Sequence, residues 1–182
     1  IVAQIKILTI LLEMISTMID NNDFLVATQL FIFSRHISTG LKLDSNKEIM
    51  SKFPVAKKQW ELLAPFFSTI KQRCLHTLEQ ENLSIDDTAK CLASLVLLEN
   101  CQMDKLLSIF IQTRTKTFLK SIENENYANV KEKLQLSVKI LLNTVEIIHE
   151  CFISHNDSDK GLLLKKLETV SEAPTLSLLQ YK

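Results

Sequence analysis

The chain predicts an all-α fold, a helical bundle, on three observations. Its 182 residues hold only two glycines and three prolines, whereas sheets and hairpins lean on glycine-bearing turns. Apolar residues recur at spacings of three and four instead of alternating. Hydrophobic content is 46% and charged content 23%, a balance that allows a real core in one domain or in a slice of an extended one.

The elements follow in order. The opening "IVAQIKILTILLEMISTMI" is 19 residues long, about the length that crosses a bilayer. On a helix, however, Lys6, Thr9, Glu13, Ser16, Thr17 and Asp20 fall on one stripe, and Ile1, Ile5, Leu8, Leu12, Ile15 and Ile19 repeat on another face. A Lys and a Glu inside a span would each cost about 2.5–3.5 kcal/mol near the bilayer centre. The charge order of a secretory signal is missing too. The segment therefore reads as an amphipathic helix packed within protein. The first residue is Ile, so the chain reads as an excerpt of a longer protein. After the turn "DNND", Asp23 is placed to cap a helix over 24–39, with Gly40 as its stop. Pro54 suits the first turn of a third helix running towards Leu83, which Pro65 should kink or split after Leu63. Ser84 and Asp87 open a fourth helix in the manner of a capping box. That helix is apolar all round, so it should be buried. A fifth runs from Met103 to Ile122 and a sixth from Tyr127 to Ile153, with "ENENYAN" as the turn between them. "SHNDSDKG" is the most loop-like stretch, and a short helix over 162–170 follows it. The bundle is expected over 1–153. Residues 154–182 should form a loop, a short helix and an irregular tail, the start of a following bundle in one reading.

Composition excludes several functions. Lys+Arg and Asp+Glu both number 21, which argues against nucleic acid as a partner, since that needs clustered positive charge. Gly40 and Gly161 are isolated, so no phosphate-cradling loop or dinucleotide fingerprint exists. No cofactor is expected. Cys74, Cys91, Cys101 and Cys151 sit in apolar helical contexts and read as free thiols. His36, His76, His149 and His155 form no H-E-x-x-H pair. His149 and Cys151 point about 200° apart on a helix and cannot share a metal. No catalytic residues emerge, and no metal ligands. Arg114 is the one unusual cation. It falls inside the apolar stripe of Met103, Leu107, Phe110 and Phe118. It should snorkel along that face or pair with a carboxylate from another helix; an anionic ligand has nothing further to support it.

The sixth helix carries two apolar lines. Tyr127, Val130, Leu134, Val138, Leu141, Val145, Ile148 and Phe152 lie within about 80° of one another and read as an ordinary core stripe. Leu136, Ile140, Ile147 and Cys151 lie roughly opposite. Two readings stay open for this second line. The helix is central and touches neighbours on both sides within the chain, or Leu136, Ile140 and Ile147 meet another subunit or the next bundle.

"FLVATQLFIFSRHI", "LKLDS", "KFPVAKKQW", "CLASLVLLEN" and "LLSIFIQTRTKTFLKSI" occur in this order. Together they resemble the subunit 1 family of the conserved oligomeric Golgi complex, from about Asp20 to Phe152. The closest points are "ATQL" at Ala27–Leu30, "LD" at Leu43–Asp44, "FP" at Phe53–Pro54 and "LLE" at Leu97–Glu99. The resemblance implies an elongated helical bundle, part of a tethering-complex rod. It implies a peripheral protein on the cytosolic face of the Golgi that tethers vesicles in retrograde traffic. Its partners would be other subunits of the complex, with membrane-fusion and small-GTPase proteins; no transmembrane segment and no catalytic residues would be present. A helical adaptor or solenoid segment of another cytosolic assembly is the alternative, and a small helical enzyme with a core ligand would need a polar pocket.

Overall fold

The computed structural model describes residues 2–43, 54–123, 129–153 and 161–172. Among them are eight helices: α1 (Val2–Asp20), α2 (Phe24–Leu43), α3 (Pro54–Leu63), α4 (Phe66–Leu78), α5 (Ile85–Glu99), α6 (Met103–Glu123), α7 (Val130–Phe152) and α8 (Leu162–Glu172). No strand occurs among the described residues, and the all-α expectation holds. None of these helices is long and apolar enough to cross a membrane.

Contacts divide the chain into two units, the first built on Ile1–Gln72 and the second on Arg73–Ser171. The boundary lies inside the unbroken helix α4, where no turn residue signals it, and α8 belongs to the second unit.

In the first unit α1 packs along α2, and α3 lies against both. The turn from α1 to α2 is made by Asn22, whose φ of 60° is left-handed. Asn22 N–H donates to the Ile19 carbonyl (3.0 Å) and Asp23 N–H to the Met18 carbonyl (2.9 Å). These two bonds are a Schellman closure with Asn in the place glycine usually takes. The buried side of α1 is Leu8, Leu11, Ile15 and Ile19, and α2 contributes Phe24, Ala27 and Phe31. Phe31 also stacks with Trp60, their centroids 6.4 Å apart. Helix α2 does not stop at Thr39. It runs through Gly40 to Leu43, because Gly40 keeps a negative φ and a mid-helix glycine costs only about 0.5–1 kcal/mol. Pro65 does split the third predicted helix after Leu63, and α4 restarts with Thr69 N–H on the Pro65 carbonyl at 3.1 Å.

In the second unit Ser84 caps α5, its hydroxyl accepting from Asp87 N–H at 3.5 Å, and Asn100 closes the helix in the left-handed region. Ala89, Cys91, Leu92, Ala93, Leu95 and Leu98 are all buried, so α5 is internal, as its pattern predicts. Helices α6 and α7 pack against each other and each touches α5. Helix α8 is tied down by a Lys166–Asp86 ion pair of 2.6 Å. Gly161 lets the chain pass close to the end of α7: a Cβ there would sit 2.6 Å from the Cys151 carbonyl oxygen.

Candidate interaction surface

Two cross-helix contacts fix how α6 and α7 meet. Arg114 Nε donates to Thr144 Oγ1 at 3.0 Å, and Ser121 and Ser137 share a hydrogen bond of 2.9 Å. The contacts run in opposite directions along the two helices, so the pair is antiparallel. The buried sides of both helices mix apolar residues with small hydroxyl-bearing ones. From α6 come Leu106, Phe110, Thr113, Thr117 and Ser121, and from α7 come Ser137, Ile140, Thr144, Ile147 and Cys151. The α7 set repeats at three, four, three and four, the spacing of a helix–helix seam.

Arg114 is the centre of this arrangement and is 2% exposed. It neither snorkels nor meets a carboxylate among the contacts of its guanidinium. Nη1 donates to the Leu78 carbonyl at 3.2 Å and to the Gln80 carbonyl, and Nη2 donates to the Glu81 carbonyl at 3.3 Å. Thr117 adds a bond to the Glu79 carbonyl at 3.0 Å. Asn143 holds both backbone groups of Leu83, at 3.3 and 3.1 Å. Segment 78–83, where α4 ends, is thus clamped by side chains of α6 and α7. The last four carbonyls of α4 all find partners: Leu75 and His76 from Glu79 N–H, Thr77 from Gln80 N–H, and Leu78 from Arg114. A helix end needs this satisfaction, and a cation belongs at its negative pole. Burial pulls the Arg114 pKa down from its usual value.

The sequence-predicted partner residues lie on the inner side. Ile140 and Ile147 are buried at 1% and 0% exposure, and Leu136 is half-buried. Within this chain they lie on the inward side of α7. Outward instead is most of the line read as core: Val130, Leu134, Val138, Leu141 and Val145 are each more than half exposed, while Ile148 and Phe152 are half-buried. The reason is that α7 turns its hydroxyl-bearing side to Arg114. The three-four run of Ser137, Ile140, Thr144, Ile147 and Cys151 carries that signal, but counting aliphatic residues alone passes over it.

Above the seam runs a groove of about 250 Å³. Its walls are Ile111, Thr115 and Phe118 from α6 and Leu141, Val145 and Ile148 from α7, with Arg114, Ile140 and Thr144 at its base. Among the described residues the lining holds no carboxylate, imidazole or thiol. Drug-sized ligands take pockets of roughly 300–1,000 Å³, so the groove suits inserted side chains better than a cofactor. His155 lies outside the described residues. All four cysteines are unbonded. The Cys91 thiol beside it, and then burial, hold Cys74 above its ordinary pKa. Burial, and then the Glu150 and Asp86 charges, push Cys151 up to about 11.

No protein-family model matches the chain, and no solved structure does. Curated relatives do. The chain is 44% identical over 168 residues to conserved oligomeric Golgi complex subunit 1 of Drosophila melanogaster, which takes in 91% of this chain. It is 28% identical over 181 residues to the subunit of the same name in Homo sapiens and 29% over 182 residues to that of Mus musculus, 93% of the chain in both cases. In each comparison it spans 18% of the relative's own length. Across nine-tenths of its residues the chain is therefore similar to a stretch of conserved oligomeric Golgi complex subunit 1, the family to which its ordered packing motifs pointed.

Proposed function

We propose that this chain is a helical scaffold segment of a subunit 1 of the conserved oligomeric Golgi complex, without catalysis of its own. In this reading the whole protein tethers vesicles in retrograde intra-Golgi transport. It sits as a peripheral protein on the cytosolic face of the Golgi, held by the other subunits and engaged by membrane-fusion and small-GTPase proteins. The observation that carries it is the 44% identity to the Drosophila subunit over 91% of the chain. The physical reading agrees with that role. The polar groups at the heart of the second unit are spent on holding helices together, and α7 carries a line of exposed aliphatic residues outside, the usual mark of an interface. Affinity purification of the full-length protein from its own cells tests the proposal. Stoichiometric recovery of the other complex subunits, with Golgi staining that disperses when a second subunit is depleted, is the expected result. Recovery of a different cytosolic assembly would favour the adaptor alternative.

A further inference from the structure

The outer face of α7 is more apolar than a helix exposed to water can use. Val130, Leu134, Val138, Leu141 and Val145 recur at four, four, three and four, which stacks them on one side of the helix. Each is more than half exposed. Val130 to Val145 spans about 22 Å at 1.5 Å per residue, four turns of a helix. On the α6 side the face continues into the groove walled by Ile111 and Phe118. Apart from the Arg114 guanidinium at its base, already engaged, the groove lining carries no charge among the described residues. Depletion of charge at the centre of a contact marks an interface that stays closed, whereas partners that come and go meet over more polar surfaces.

We infer that this groove is the seat of an amphipathic helix from the same polypeptide, drawn from the part of the protein that lies outside these 182 residues. The length of the relatives supports the choice of occupant. The aligned stretch is 18% of their length, so roughly four-fifths of such a chain is folded elsewhere. A segment in the same chain is present at fixed stoichiometry and at an effective concentration that reaches millimolar for short linkers. It can close over the face without waiting for a second chain to arrive. A second copy or a separate subunit would leave the valines and leucines in water until assembly. The occupant should present apolar anchors at three–four spacing, two of them filling the groove beside Phe118 and Leu141. This inference needs only the length of the relatives, not the tethering role.

Crosslinking with mass spectrometry on the full-length protein, purified from its cells with whatever it assembles with, provides the test. Lys131 lies beside Leu134 and Val138 at the edge of the face and is the reporter. Lys90 and Lys166 both reach Asp86, so a Lys90–Lys166 link is the internal reference for a folded second unit. The expected result is that Lys131 links to one helical segment of the same polypeptide beyond these residues. In the Leu134→Asp, Leu141→Asp protein that link should fall at least fivefold while the reference link persists. If the aspartates disturb the reference, Leu134→Gln with Leu141→Gln replaces them. Links from Lys131 that end only within these 182 residues overturn the inference. So does a Lys131–Lys131 link, which only a second copy can give. Links only to a different protein, or links unchanged in a variant that keeps the reference, overturn it equally.

Discussion

Helices α1 and α7 pose the same problem and solve it in opposite ways. Each has aliphatic residues on two sides. Helix α1 buries Leu8, Leu11, Ile15 and Ile19 and turns Ile7, Ile10 and Met14 outward. Its best apolar stripe is inside and its polar stripe outside, as amphipathicity predicts. Helix α7 buries Ser137, Ile140, Thr144, Ile147 and Cys151 and leaves its longest aliphatic line in solvent. What differs is the neighbour. Helix α1 packs along α2, whose inner side includes Phe24, Ala27 and Phe31, and apolar burial alone decides its rotation. Helix α7 packs against a buried guanidinium. Rotating it would exchange Ile140, Ile147 and Cys151 for about one more large aliphatic side chain, a gain of roughly 1.5–3 kcal/mol. It would also strip Arg114 of Thr144, and a hydrogen bond to a charged group is worth about 1.5–3 kcal/mol. The Ser121–Ser137 bond and the Asn143 clamp on Leu83 would go with it. The polar side wins because its partners have nowhere else to go.

A carboxylate placed on each side of α7 should separate its two faces by the widest margin. Ile147→Asp buries an unpaired charge at a position with no exposure, a mechanism behind the largest mutational losses. It should abolish cooperative unfolding of the second unit and open Cys151, now buried, to thiol reagents. Leu141→Asp, on the exposed side, should leave helical signal and melting temperature within a degree or two. Equal damage from both would mean that both faces of α7 are internal to the isolated chain.

Next in size is the clamp. Arg114→Met keeps most of the side-chain volume but leaves the carbonyls of Leu78, Gln80 and Glu81 without their donor. At about 1–3 kcal/mol for each buried acceptor left unsatisfied, the loss should reach roughly 3–5 kcal/mol in urea unfolding. Arg114→Lys should recover less than half of it, since a point ammonium cannot span three carbonyls and a hydroxyl in one plane. A variant as stable as the parent would show that the guanidinium is tolerated and not required.

A smaller pair of changes sharpens the contrast between the units. Thr144 accepts from Arg114 and donates to the Ile140 carbonyl at 2.7 Å. Thr28, fully buried in α2, has a hydroxyl with no partner among the described residues. The same substitution should therefore have opposite signs. Thr144→Val is expected to destabilise by about 1.5–3 kcal/mol, and Thr28→Val to stabilise by about 1 kcal/mol. Thermal melts of the two variants side by side give the answer, and two effects of the same sign would dissolve the distinction.

These sites also show what a sequence can carry. The splitting of a helix at Pro65, the Ser84 cap and the buried α5 are local, written in residues that act within a turn or two of themselves, and all three were legible. The passage of α2 through Gly40 was not, because an exposed glycine stops a helix only when the next residues have better contacts elsewhere. The unit boundary inside α4 is a matter of long-range contacts with no local mark. The rotation of α7 was legible in principle. Its seam of Ser137, Ile140, Thr144, Ile147 and Cys151 keeps a regular spacing, and Arg114 advertises a buried polar centre. What hid it was the habit of equating the most aliphatic line with the core. The identity of Arg114's partners could not be read at all, since they are backbone carbonyls whose position depends on where α4 ends.

A weaker effect is expected at the ion pairs of Asp86, one of which ties α8 to α5. Asp86 lies in the first turn of α5, where a carboxylate is favoured by the helix dipole. Lys166 reaches it at 2.6 Å and Lys90 at 2.8 Å. Hydrogen bonds from Lys166, then Lys90, hold its pKa below the ordinary carboxylate value of 3.8. A depressed folded-state pKa means that the unfolded chain takes up the proton first as pH falls. The contribution is therefore fully present above about pH 4 and is lost as pH drops through the lowered folded value. Asp86 is about half exposed, so solvent screens the pair and the effect should stay within roughly 1 kcal/mol. Asp86→Asn should flatten the acid limb of the stability curve by that amount and change little at neutral pH beyond a similar constant offset. It should also loosen α8, seen as faster amide exchange in Leu162–Glu172, while the Arg114 clamp keeps the end of α4 protected. The two attachments would then be ranked directly: an ion pair in water holds one helix lightly, and a guanidinium out of water holds the other firmly. Equal loss of protection at both places would mean that α8 and the clamp unfold together.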